Sequence, residues 1–171
     1  MTKIAPGQLF QQAVSFAARV HQGQLRKDQK TPYIAHPVRV AMIVRQVFDV
    51  SDETALLAAL LHDVIEDTTT DYDDLIEHFG RATADAVAAL TKDARLPHDE
   101  RERAYDEQLA KASWQARLVK LADVYDNYCD SANDEQRQGF VEKAERAIRC
   151  AGDDPQLQRA IQLLRELTGQ R

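Results

Sequence analysis

Apolar residues recur at three- and four-residue intervals along most of the chain and almost never alternate, a pattern that predicts helices rather than strands. Leu9–His21 reads as the first helix. Leu9, Phe10, Ala13, Val14, Ala17 and Val20 make its stripe, and Gly23 lies just past its end. Gln24–Tyr33 is polar and contains Thr31-Pro32, so it reads as a loop. A second helix follows Ala35-His36-Pro37, with Pro37 suited to the first helical position and His36 to the cap. Val38, Val40, Ala41, Ile43, Val44 and Val47 carry its buried face. Ser51 can cap a third helix, with Asp52 and Glu53 in its first turn. There Leu56, Leu57, Leu60, Leu61, Val64 and Ile65 predict one helix that packs on one side and continues through Asp67.

Thr68-Thr69-Thr70 breaks the pattern. Thr70 or Asp71 can cap a short helix to about Phe79, and Gly80 ends it. Ala82–Lys92 reads as the next helix, Asp93–Pro97 as a loop, and His98–Lys111 as a highly charged, mostly exposed helix. Ser113 can cap Trp114–Asp130, whose inner stripe is Trp114, Leu118, Leu121 and Tyr125. Ser131–Gln138 is polar, and Phe140–Cys150 and Pro155–Thr168 are amphipathic closing helices. The predicted architecture is all-α, a compact helical bundle. With 171 residues, a single domain over 1–171 is expected.

Composition changes this picture little but narrows the partners. The chain is 44% hydrophobic and 29% charged, ordinary globular material, and no apolar run reaches membrane-spanning length. The N-terminal Met-Thr-Lys-Ile-Ala-Pro-Gly lacks an apolar core, so no secretory signal is expected. Two cysteines, Cys129 and Cys150, do not make a disulfide framework, and a cytoplasmic setting is expected. A net charge of -6 argues against broad adhesion to nucleic acid or membrane. An anionic ligand would need a metal or a local basic cluster such as Arg26, Lys27 and Lys30.

The candidate chemistry gathers at Leu60–Asp67. His62, Asp63, Glu66 and Asp67 stand at i, i+1, i+4 and i+5, on one sector of the predicted helix. Two of the acids lie near its C-terminal end, where the macrodipole disfavours anions by roughly 0.3–1 kcal/mol each and a cation would reverse the penalty. His62 and Asp63 could both bind such a cation. His36 heads another helix, and Asp123 sits in the otherwise apolar Leu118–Asp123 stretch. Together they would form a two-His, two-Asp site for a divalent cation with affinity for imidazole. A lone His-Asp pair is commonly only solvated or hydrogen-bonded, and a lone Asp on a helix is commonly half-exposed. The four, with Glu66 and Asp67 beside them, are harder to explain structurally.

His62-Asp63, preceded by Ala58-Ala59-Leu60-Leu61 and followed by Glu66-Asp67-Thr68, resembles the HD-domain metal-dependent phosphohydrolases. Arg26-Lys27, Pro32–Pro37, Phe79-Gly80, Thr91-Lys92 and Lys120–Asp123 with Asn127 narrow the resemblance to the (p)ppGpp hydrolase domain of the RelA/SpoT family, in its stand-alone small alarmone hydrolase form. The likeness is strong over about residues 9–130 and weak over the closing helices, about 140–168. It implies an HD fold that removes pyrophosphate from the ribose 3′ position of ppGpp, giving GDP, or GTP from pppGpp. It also implies Mn²⁺ held by His36, His62, Asp63 and Asp123. Glu66 and Asp67 would aid the attacking water. Arg26 and Lys27 would hold the guanine side of the nucleotide, and Asn127 would contact the ribose region.

The resemblance has departures. His98 stands where relatives tend to place a lysine near the phosphates; Arg95, Arg101 or Arg103 would have to compensate. Val124-Tyr125-Asp126 replaces a stretch that usually begins with a basic residue, so a more acidic wall is expected there. Asp130 replaces a polar residue that often helps at the ribose, and Arg137 and Phe140 receive no role. An alternative substrate, such as NADPH or pGpp, therefore remains open. Another alternative is a non-catalytic binding module, which would be expected to have lost a metal ligand or the acidic pair. A synthetase activity is not expected, because the sequence ends before a second nucleotide-binding domain could fit. His21 and His78 read as structural or surface residues.

Overall fold

The structure is a computed structural model that describes residues 7–169. Most of the N-terminal segment read for a signal lies outside the described residues. Helices follow one another as α1 (Gln8–Val20), α2 (Ala35–Met42), α3 (Glu53–Leu61), α4 (Val64–Asp67) and α5 (Tyr72–Phe79). They continue as α6 (Arg81–Leu90), α7 (His98–Ala110), α8 (Trp114–Cys129), α9 (Asp134–Ala151) and α10 (Gln158–Thr168). Among the described residues there is no named strand, only an isolated antiparallel bridge between Leu25 and Pro32 in the loop after α1. The fold is all-α, as the apolar spacing predicts.

The bundle is built around α3. Ala55 and Leu57 through Leu61 are all buried, and α1, α2, α6 and α8 pack around them. The expected one-sided helix is thus apolar around its whole circumference, which a helix can be only at the centre of a fold. Each buried leucine side chain there contributes roughly 1.5–3 kcal/mol. Beside it runs α8, contacting α2, α3, α9 and α10. Leu118, Leu121 and Val124 bury its inner side, and Ser113 caps it by accepting from the Ala116 N–H. Asp123 lies on α8, and His62 and Asp63 follow directly on α3.

Several boundaries differ from the sequence reading, each for a local reason. Asp52, not Ser51, caps α3, accepting from the Ala55 N–H at 2.9 Å. Asp71 caps α5 reciprocally with Asp74. Helix α2 begins at Ala35, so His36 lies inside the first turn; turn bonds from Ala35 and His36 to Pro32 and Tyr33 start the helix early. It then widens into a π-helical segment, Ile43–Val47. Asn133 caps α9 by accepting from the Gln136 N–H, which turns half of the polar 131–138 stretch into helix. Helix α7 is charged outward but seats Tyr105 and Leu109 in the core.

The largest departure lies at the centre. The predicted continuous helix stops at Leu61, turns through His62 and Asp63, and resumes as α4. The His62 ring caps the end of α3, with Nδ1 bonded to the Ala59 carbonyl at 2.9 Å. That contact satisfies a carbonyl that would otherwise lack an intrahelical donor.

Candidate active site

The turn after α3, the first turn of α2 and the middle of α8 converge. The metal-binding donor atoms of His36, His62 and Asp123 lie within 4.8 Å of one another, and all three residues are buried. His36 Nε2 is 3.2 Å from Asp123 Oδ1 and 3.8 Å from Asp63 Oδ2. His62 Nε2 is 3.0 Å from Asp63 Oδ2 and 3.9 Å from Asp123 Oδ1. Two ring nitrogens and two carboxylates therefore surround one point.

The outer contacts fix how these groups face inward. His36 Nδ1 lies 2.7 Å from Asp126 Oδ2, and His62 Nδ1 bonds the Ala59 carbonyl. Both partners are acceptors, so each Nδ1 carries hydrogen and Nε2 is the atom that each ring turns toward the centre. Asp126 is itself held by Arg39, whose Nε and Nη2 donate at 2.7 and 2.9 Å. The Tyr33 hydroxyl donates to Asp63. Lys120 Nζ and Asn127 Nδ2 donate to Asp123 at 2.8 and 2.6 Å. Despite its nearby carboxylates, His62 Nε2 is buried without an aligned hydrogen-bond partner. That orphaned nitrogen, in a mixed N/O donor set, is what a divalent first-row cation would satisfy.

Charge reinforces the same reading. Burial opposes a charged His62, yet Asp63 and Asp123 outweigh it and raise the imidazole to about 9. Burial likewise pushes Asp63 up, and His62 pulls it down to about 2. Asp123 is driven well below the ordinary range: burial opposes this, and Lys120 with the histidines prevails. The cluster thus favours positive charge at its centre. Glu66 and Asp67 sit at the rim, both raised by partial burial and by repulsion from Asp63. A cavity of about 120 Å³ opens between the centre and Glu66, Lys92, Tyr105 and Lys120.

The HD domain family model matches residues 13–147. The chain belongs to the HD domain family. Among proteins of similar sequence, the guanosine-3′,5′-bis(diphosphate) 3′-pyrophosphohydrolase MESH1 of Homo sapiens is 46% identical over 120 residues, covering 70% of this chain and 67% of that protein. The Mus musculus protein of the same name is 38% identical over 167 residues, 92% of this chain and 93% of that protein. The bifunctional (p)ppGpp synthase/hydrolase SpoT of Escherichia coli (strain K12) is 38% identical over 120 residues, 67% of this chain but 17% of SpoT. A solved structure described as a metazoan ortholog of SpoT that hydrolyzes ppGpp aligns with a TM-score of 0.80 at 32% identity, covering 98% of this chain and 99% of its own.

Within this HD domain the structure brings together His36, His62, Asp63 and Asp123, with Glu66 and Asp67 beside them. Glu66 accepts from the Lys92 backbone N–H at 3.2 Å. Arg26 is 8% exposed and hydrogen-bonded in the plane of its guanidinium to Asp130 and Asn127, with that group 5.7 Å from the centre of the Tyr33 ring. Asn127 is engaged at both ends, accepting from Arg26 and donating to Asp123. Lys27 is exposed, with Nζ 5.2 Å from the centre of the Phe140 ring. The expected acidic wall at Asp126 is absent: that carboxylate is 3% exposed and turned inward onto His36 and Arg39.

His98 is exposed beside Asp99, and Arg95 closes on Asp93, so neither faces the centre. His21 is buried against Tyr33 and bonded to Gln24, whereas His78 lies exposed against Phe16. Sequence reasoning missed Tyr33, Arg39, Tyr105 and the supporting role of Asp126. One signal was available for Asp126. At i+3 from Asp123 it shares that residue's helix face, and an acid on an inward face needs a partner.

Proposed function

We propose that this HD domain hydrolyses guanosine-3′,5′-bis(diphosphate) at its 3′ position, releasing pyrophosphate and GDP, with Mn²⁺ as its cation. The pentaphosphate form would yield GTP. One observation carries the reading: imidazole and carboxylate donors from three separate segments meet at one buried point, with two raised carboxyls at its open side. His36, His62, Asp63 and Asp123 would hold the cation. When bound, it supplies Lewis acidity to water and offsets charge on a phosphoryl oxygen.

The chain's own groups do the rest. Glu66, or Asp67 beside it, takes a proton from the attacking water, a role commonly contributing 10²–10⁴-fold in rate. The water oxygen bonds to the phosphorus on the ribose 3′ oxygen, that phosphorus–oxygen bond breaks, and the ribose oxygen is protonated. Asp126 and the Ala59 carbonyl hold the two imidazoles in the tautomer that faces inward. Tyr33, Lys120 and Asn127 keep the two aspartates from swinging out. Lys27 offers the nucleotide a free cation at the cleft edge, and Arg26 braces the wall between the loop after α1 and the end of α8. The free thiols Cys129 and Cys150 fit a reducing cytoplasm.

The test is turnover of ppGpp, pppGpp, pGpp and NADPH with Mn²⁺, with products identified. Release of pyrophosphate from ppGpp is expected. If ppGpp stayed intact while another nucleotide turned over, this substrate assignment would be abandoned. With Asp126 turned inward, the wall gives no reason to prefer another nucleotide.

A further inference from the structure

A second cavity of about 90 Å³ adjoins the metal centre, and the two share Lys92, Tyr105 and Lys120 as lining. Beyond those residues it reaches Lys143 and Arg146 of α9. Four cations line so small a space against two carboxylates, Glu102 and Asp106, in a chain of net charge -6. Three of them are matched. Lys92 pairs with Glu102 at 2.6 Å, Lys120 with Asp123 at 2.8 Å, and Arg146 with Glu102 and Asp106 at 2.9 Å each. Lys143 makes no ion pair among the described residues. Its ammonium lies 4.7 Å from the centre of the Phe140 ring, and Lys27 approaches the same ring at 5.2 Å. Burial, and then repulsion from Lys120 and Lys27, weakens its hold on its proton despite the pull of Asp123.

We propose that this second cavity is an anion subsite for the outer phosphoryl group of a diphosphate whose inner phosphoryl lies at the metal centre, with Lys143 as its answering cation. Lys92 and Lys120, common to both cavities, would span the two phosphoryl groups. The inference rests on the proposed function for the identity of the substrate, but not for the binding of a free diphosphate. It gives the domain a means of preferring a 3′-diphosphate over a monophosphate ester, which would leave Lys143 unanswered. It also supplies the phosphate-side cation that His98, turned to solvent, does not.

The test is calorimetric titration of inorganic pyrophosphate, and separately orthophosphate, into the full chain with one equivalent of Mn²⁺. Lys143→Gln keeps the stem and removes the charge from an exposed side chain. Loss of one charge-assisted contact should weaken pyrophosphate by about tenfold. Orthophosphate binding should stay within about twofold, and Lys143→Arg should restore most of the pyrophosphate affinity. Unchanged pyrophosphate affinity in Lys143→Gln would overturn the subsite, as would equal losses for both anions. Neither readout needs turnover, so failure of the domain to hydrolyse ppGpp would leave this result interpretable.

Discussion

Substituting Asp126 by asparagine tests whether the contacts behind His36 set the metal centre. In the native site Asp126 accepts from His36 Nδ1 at 2.7 Å and from Arg39 Nε and Nη2 at 2.7 and 2.9 Å. A carboxamide has one acceptor oxygen where the carboxylate has two. Turned one way, its NH₂ faces His36 and asks Nδ1 to accept, which moves the ring proton to Nε2 and points it at the metal centre. Turned the other way, its NH₂ confronts Arg39 Nε, and one oxygen is left to accept from both His36 Nδ1 and Arg39 Nη2 as a weaker, uncharged acceptor. Loss of such a supporting carboxylate commonly costs 10–100-fold in metal affinity, about 1.4–2.7 kcal/mol. Titration of Mn²⁺ into metal-stripped protein measures this directly, and the unfolding midpoint without metal checks that the variant folds. A folded Asp126→Asn protein with Mn²⁺ affinity within twofold of the native chain would refute the argument.

Other outcomes follow from the same geometry. His62→Ala or Asp63→Ala should abolish metal binding and turnover together, read by metal content and product release; metal content at native levels would exclude them as ligands. Glu66→Gln should keep the metal and lose about 10²–10⁴-fold in rate, and a variant that lost both would contradict the separation of roles. Glu102 is opposed by burial but held by Lys92 and Arg146 at about 2, below its ordinary 4.5. A depressed carboxyl stabilises the fold fully above its unfolded value and loses that contribution as pH falls through the folded one. The stability gap between native protein and Glu102→Gln should therefore close between about pH 4.5 and 2. A gap that stayed constant in denaturant midpoints over that window would show that the ion pair carries none of it.

Helix existence and order were readable because apolar spacing reports burial directly, as in α1, α5 and α8. The stop between Leu61 and Val64 was not readable, since every residue there suits a continuous helix. The His62 ring on the Ala59 carbonyl, three residues back, marks the interruption. The convergence of His36, His62, Asp63 and Asp123 could be anticipated from residue types and the family likeness. The partners of the basic residues were not readable, because charge patterns say nothing about pairing. Arg26 and Asp130 stand far apart in the chain, and only the fold joins them. Asp126 looked like acidity added to a wall for the same reason. Lys143 left no mark at all, because its importance comes from the absence of a partner.

The interruption after Leu61 has a wider consequence. On an unbroken helix, neighbours splay apart by about 100°; here the turn leaves His62 Nε2 and Asp63 Oδ2 3.0 Å apart. The grip is thus written into backbone register as much as into side-chain chemistry. Adding one residue to α3 just ahead of His62 would leave every donor in the sequence and aim it elsewhere.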